Sequence, residues 1–102
     1  MNRRLELHEK LIHLIGNNNV YFQPPASVQI SYPCVIYNIG AGDAKRADNT
    51  VYLYTNSYDV IFIFKKPNLE IIEQVLESIP ICRLSRCYIV DNLNHYAFKI
   101  YY

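Results

Sequence analysis

The sequence predicts an α+β domain: a mostly antiparallel sheet of about four to five strands, two helices packed on one face, and the order α-β-β-β-α-β-β. Three observations predict it. Two segments repeat apolar residues at three- and four-residue steps, the period of a helix. Several short segments rich in Val, Ile, Tyr and Phe alternate or run apolar, as strands do. The strands are grouped, three between the helices and two after the second, which favours an antiparallel sheet. With 102 residues, no internal repeat and no separable linker, residues 1–102 read as one domain.

The first helix is expected over 3–15. Leu5, His8, Leu11, Ile12 and Ile15 form its stripe, Leu7 and Leu14 widen it, and Asn2 is a candidate N-cap. Gly16 and Asn17-Asn18-Asn19 end it, because these residues accept left-handed or turn dihedrals. Val20-Tyr21-Phe22 is a short extended piece. Pro24-Pro25 then excludes helix and inner strand, so 23–27 should lie on the surface. A strand is expected over 28–39, with Pro33 at an edge, a bulge or a strand start.

Residues 40–50 form the longest polar loop, and such loops often carry function. The strand expected over 51–65 is the strongest. Tyr58, Val60, Phe62 and Phe64 point one way; Asp59, Ile61, Ile63 and Lys65 point the other. Both faces are apolar in the middle, so this strand should be central and covered on both sides. A neighbouring subunit is one candidate cover. The second helix is expected over 68–78, capped at Lys66 or Asn68, with Leu69, Ile72, Val75, Leu76 and Ile79 as its buried stripe. Strands over 82–90 and 95–102 follow, joined by a turn at 91–94.

Composition fixes the broad class. Hydrophobic residues make up 51% and charged residues 19%, far from the disordered regime. The net charge of +1 and three isolated basic pairs, Arg3-Arg4, Lys45-Arg46 and Lys65-Lys66, do not make a nucleic-acid face. DNA contact should be weak and non-specific. Ten tyrosines admit two readings, a half-wet protein interface or the ordinary aromatic content of strands. Arg3, Arg4, Glu6 and Glu9 break any apolar leader, and no stretch is long enough to span a bilayer. Reduced thiols in a cytoplasmic setting are expected for Cys34, Cys82 and Cys87.

No combination of residues spells out a reaction. His8 and His13 are five apart and do not share a helix face. Cys82 and Cys87 lack metal-binding spacing. Cys87 and His95 fall on adjacent strands, but no oxyanion-hole motif accompanies them. The run from Gly40 to Arg46 lacks phosphate-loop spacing. Asp59 is either a buried charge needing a partner or a solvated one. No enzyme activity, cofactor or metal is therefore expected. The run Asp91-Asn92-Leu93-Asn94-His95 reads as a polar turn with one leucine at its tip. It is either a register lock or a contact loop, with Leu93 as anchor and Asn92, Asn94 and His95 as rim.

The runs at 18–25 (NNVYFQPP), 32–37 (YPCVIY) and 91–95 (DNLNH), with Phe98 and the terminal tyrosines, resemble small tail-completion or tail-terminator proteins of long-tailed bacteriophages and prophages. The chain departs from that pattern before Tyr88, where Ser85-Arg86 replaces an aspartate-arginine pair. The resemblance implies a structural virion protein of the tail, assembled in the host cytoplasm. Such a protein forms a homo-oligomeric ring, usually hexameric, that caps the tail tube at its head-proximal end, stops its polymerisation and supports joining to the head. Its partners would be the tail tube protein and the head connector protein, with DNA passing through the ring. The interface is then expected at Tyr58, Ile61, Ile63, Asn92, Leu93, Asn94 and His95, and the channel-facing loop at Lys45 and Arg46. The alternative is a small intracellular adaptor that binds one different protein.

Overall fold

The computed structural model describes residues 3–40 and 57–102. Helix α1 runs Arg3–Ile15 and buries Leu7 and Leu11 completely. It stops at Gly16, whose φ of 83° is a left-handed value that a Cβ would oppose, and whose N–H donates to the Ile12 carbonyl at 2.9 Å. The candidate cap Asn2 lies outside the described residues.

The asparagines after α1 do more than break the helix. Asn17 Nδ2 and Asn19 Nδ2 both donate to the Pro33 carbonyl at 3.2 Å. Asn17 Oδ1 accepts from the Asn19 N–H at 2.7 Å. They tie the end of α1 to the entry of a strand far along the chain. Strand β1, Val20–Phe22, consequently lies parallel to β2, Cys34–Ile39. The connection at 23–33 carries Pro24-Pro25 and a cis Tyr32–Pro33 peptide. It crosses the sheet face away from the helices, where the Ser31 N–H donates to Tyr21 Oη at 3.3 Å.

The strand expected from residue 28 thus begins only at Cys34. Pro33 stands immediately before it, at the strand start that its missing N–H allows.

Strand β3, Ser57–Phe64, is the centre of the five-stranded sheet, whose order is β1-β2-β3-β5-β4. It pairs antiparallel with β2 on one side and with β5, Leu93–Tyr101, on the other. Strand β4, Cys82–Val90, pairs with β5 alone among the described residues and forms the outer edge of the sheet they make. Helix α2, Glu70–Ser78, bridges β3 to β4. Neither Lys66 nor Asn68 caps it. The N-cap position is Leu69, whose φ of −69° and ψ of −21° are already helical, and no side chain bonds the first turn. The Asn68 N–H instead donates to Tyr96 Oη at 2.9 Å.

Both helices lie on one face. Leu7, Leu11, Ile71 and Val75 meet Val35, Tyr37, Tyr58, Val60, Phe62, Tyr96, Phe98 and Ile100 in one core. Phe62 and Phe98, diagonal neighbours across the ladder from β3 to β5, stand nearly perpendicular at 82° with centroids 5.7 Å apart. That keeps the positive ring edge against a negative ring face. The two-sided reading of β3 holds: Phe62 is buried toward the helices and Ile63 on the opposite side. Asp59 faces water, 3.7 Å from the Lys99 ammonium, and so is the solvated charge rather than the buried one.

Candidate interaction surface

The functional surface suggested by the sequence is only partly assembled by the fold. Tyr58, expected at an interface, is 2% exposed and belongs to the core under the helices. Ile63 is buried and Ile61 half-buried on the other face. Lys45 and Arg46 lie outside the described residues. The remaining four positions are on or beside one hairpin, but not as a four-residue tip. The turn is Asp91-Asn92 alone, with φ of 53° and 63°, the left-handed pair of a two-residue type I′ turn. Leu93 is the first residue of β5, half-buried opposite Val90. Asn94 is also in the strand, and its Nδ2 donates to the Phe64 carbonyl at 3.4 Å.

His95 stacks on Tyr88, its cross-strand partner, with ring centroids 4.7 Å apart and planes 15° from parallel. Its Nδ1 meets the Leu93 carbonyl at 2.9 Å. Arg86 lies over the other end of this group, its guanidinium carbon 4.4 Å from the Tyr88 centroid. The three side chains form a cation-aromatic stack on the face away from the helices. The sequence signal for it was the two-residue spacing of Arg86 and Tyr88, which puts both on one strand face.

Cys87 is not part of this stack. It pairs with Tyr96, one residue out of step with Tyr88 and His95, so its side chain emerges on the opposite face of the sheet. A Cys87-His95 nucleophile and base are separated by the sheet itself. Cys34 is buried, and burial pushes its thiol up to about 11; Cys82 is shifted upward by the same cause. No group of three or more His, Cys, Asp or Glu side chains is arranged to hold a metal ion among the described residues. No helix among them is long and apolar enough to cross a membrane. A wide-mouthed depression of about 360 Å³ lies by Lys10, His13, Leu14 and Ser78.

The residues that sequence reasoning missed are on β4. Leu84 is 37% exposed, Ile89 69% and Val90 48%. Arg83, Arg86 and Cys87 are exposed too. The run CYIV at 87–90 is apolar on both faces, which was a legible sign, but it did not reveal which strand would be outermost. That followed from β5 inserting between β3 and β4.

The backbone of this edge has a definite polarity. Tyr101 N–H donates to the Ile81 carbonyl at 2.9 Å. Counting by twos through the observed register, and allowing for the irregularity between Leu84 and Arg86, Tyr88 and Val90 direct their backbone groups to β5. Leu84, Cys87 and Ile89 direct theirs outward. A nine-residue strand therefore offers backbone donors and acceptors along an apolar-flanked edge, the situation that invites another strand.

No protein-family model matches the chain, and no curated protein and no solved structure shows significant similarity to it.

Proposed function

We propose that this protein is a structural assembly protein that works by docking, with the hairpin of β4 and β5 as its docking element. The observation that supports this is the open edge of β4, where exposed Leu84, Ile89 and Val90 flank outward-facing backbone groups. An edge of this kind costs solubility unless something covers it.

The specific form of the reading is a phage tail terminator. Copies form a closed ring, hexameric by the resemblance, that caps the tail tube and supports head joining, with DNA passing through without sequence readout. What supports that form is the likeness of the runs at 18–25, 32–37 and 91–95. Two of these runs have structural work consistent with a shared fold: Asn19, whose amide bonds the Pro33 carbonyl at the entry to β2, and the Asp91-Asn92 turn that fixes the hairpin. The reaction class is none; the work is shape and binding.

The test is to add the purified protein to polymerising tail tube subunits and image the tubes. Capped ends and a uniform, shortened tube length are expected, and Ile89→Lys should abolish capping while leaving the fold intact by circular dichroism. Tubes of unrestricted length, with a stable one-to-one complex to an unrelated protein instead, would establish the adaptor reading.

A further inference from the structure

The proposed docking role leaves open what chemistry the β4 edge selects, and the strand itself narrows it. Residues 82–90 hold two arginines and no acid. Arg83 and Arg86 are exposed and lie on one face, since their cross-strand partners Lys99 and Ala97 do. The Arg86 guanidinium sits over the Tyr88 ring, and Tyr88 is backed by His95. A guanidinium held this way has lost much of its rotamer freedom, yet its N–H fork is still free to grip a carboxylate with two hydrogen bonds. On the other face the same edge presents Leu84 and Ile89.

We infer that the free edge of β4 binds an extended acidic segment of a partner protein. The segment adds as a further strand, with its carboxylates over Arg83 and Arg86 and its alternate apolar residues against Leu84 and Ile89. Backbone pairing at Leu84, Cys87 and Ile89 supplies affinity, and the alternation of acid and apolar side chains supplies register. The inference rests on the docking role of β4 and adds the partner's chemistry to it.

A second copy of β4 is the poorer occupant. Its residues 82–90 bring the same two arginines and no acid to the edge, so they offer no carboxylate to Arg83 or Arg86. The irregularity at Ser85, between Leu84 and Arg86, also limits how far two copies stay in step. Two β4 strands paired about Cys87 match faces only until each reaches the other's bulge. A separate acidic strand has no charge to oppose.

The experiment uses three nine-residue synthetic peptides: one alternating valine and glutamate, one alternating valine and lysine, and the glutamate peptide N-methylated along one backbone edge. Binding to the intact protein is read by fluorescence anisotropy. The glutamate peptide is expected to bind, the lysine peptide to bind at least roughly tenfold more weakly, and N-methylation to abolish binding, given the usual strength of charge-assisted hydrogen bonds. In the double variant Arg83→Glu, Arg86→Glu the preference should invert; in Arg83→Lys, Arg86→Lys it should persist with reduced affinity. Equal binding of the glutamate and lysine peptides, or indifference to N-methylation, overturns the proposal. So does a dimer of the free protein by sedimentation whose Cys87 thiols cross-link, because the edge is then occupied by a second copy. Tube capping separates the two levels. If Arg83→Glu, Arg86→Glu caps normally while Ile89→Lys does not, the acidic partner is wrong and the docking edge stands. If both variants cap normally, the docking edge itself is wrong.

Discussion

Tyr37 is buried in the core, yet its hydroxyl has two partners. Its oxygen meets His8 Nδ1 at 2.7 Å and accepts from Arg4 Nη1 at 3.3 Å. Arg4 in turn lies 4.4 Å above the Phe22 ring. The sequence showed His8 as a helix residue near the sheet and nothing more, because its partner is 29 positions away. Burial first, and the Arg4 charge second, hold His8 below its usual 6.5. The unfolded chain therefore takes up the His8 proton first as pH falls. The contribution to stability is complete above about pH 6.5, declines as pH drops from there to the lowered folded value, and is flat below it. Urea unfolding at pH 7.5 and pH 5 should show this loss, and His8→Gln should remove it. The same loss in the variant assigns the pH dependence to carboxylates instead.

Elements were legible in type more than in extent. Both helices and every strand core were readable from period and composition, but boundaries moved wherever side chains bonded to distant backbone. The segment at 28–32 looks like strand and is not, because the Asn17 and Asn19 amides hold the chain at Pro33. The hairpin errs the other way. Leu93 and Asn94 read as turn because asparagine and a lone leucine fit a polar loop, yet both are in β5. What the turn needs is only two residues that tolerate positive φ, and Asp91 and Asn92 supply them. Asn92→Val should cost roughly 1–2 kcal/mol, the penalty of forcing a β-branched residue into that region. Asn92→Gly should be neutral or slightly stabilising. Thermal melts of the two variants check this, and a valine variant that melts like the wild type would show that the turn relaxes to another geometry.

The order of strands is the feature of the whole molecule that the sequence did not disclose. Nothing local says that β5 should pass inside β4, and only the full set of ladders shows it. That order places Phe98 beside Phe62 at the centre of the core, so Phe98→Ala should cost about 3–5 kcal/mol. The measurement is the urea midpoint with an unchanged slope; a loss below 1 kcal/mol would mean that the core refills the space. The tyrosine excess is also resolved at this scale for the described residues. Tyr37, Tyr58 and Tyr96 are core residues, while Tyr88 with Arg86 and His95 lines the open face. Part of the excess is ordinary strand packing, then, and part is surface. The candidate site was legible as a region, the final hairpin, but not as a set of residues, since exposure on β4 depends on its outermost place. Lys45 and Arg46 remain an expectation for a ring channel.

The three thiols differ in a way that turns the molecule into its own reporter. Cys34 is buried and pushed up to about 11, and Cys82 sits under α2 with its sulfur toward the Ile79 carbonyl at 3.2 Å. Cys87 alone of the three is exposed, in the middle of the edge strand. A maleimide dye added to the native protein should therefore mark one position without any engineered cysteine. A strand arriving at that edge changes the dye's surroundings directly, so occupancy of the docking edge can be followed in real time, at the residue where it happens.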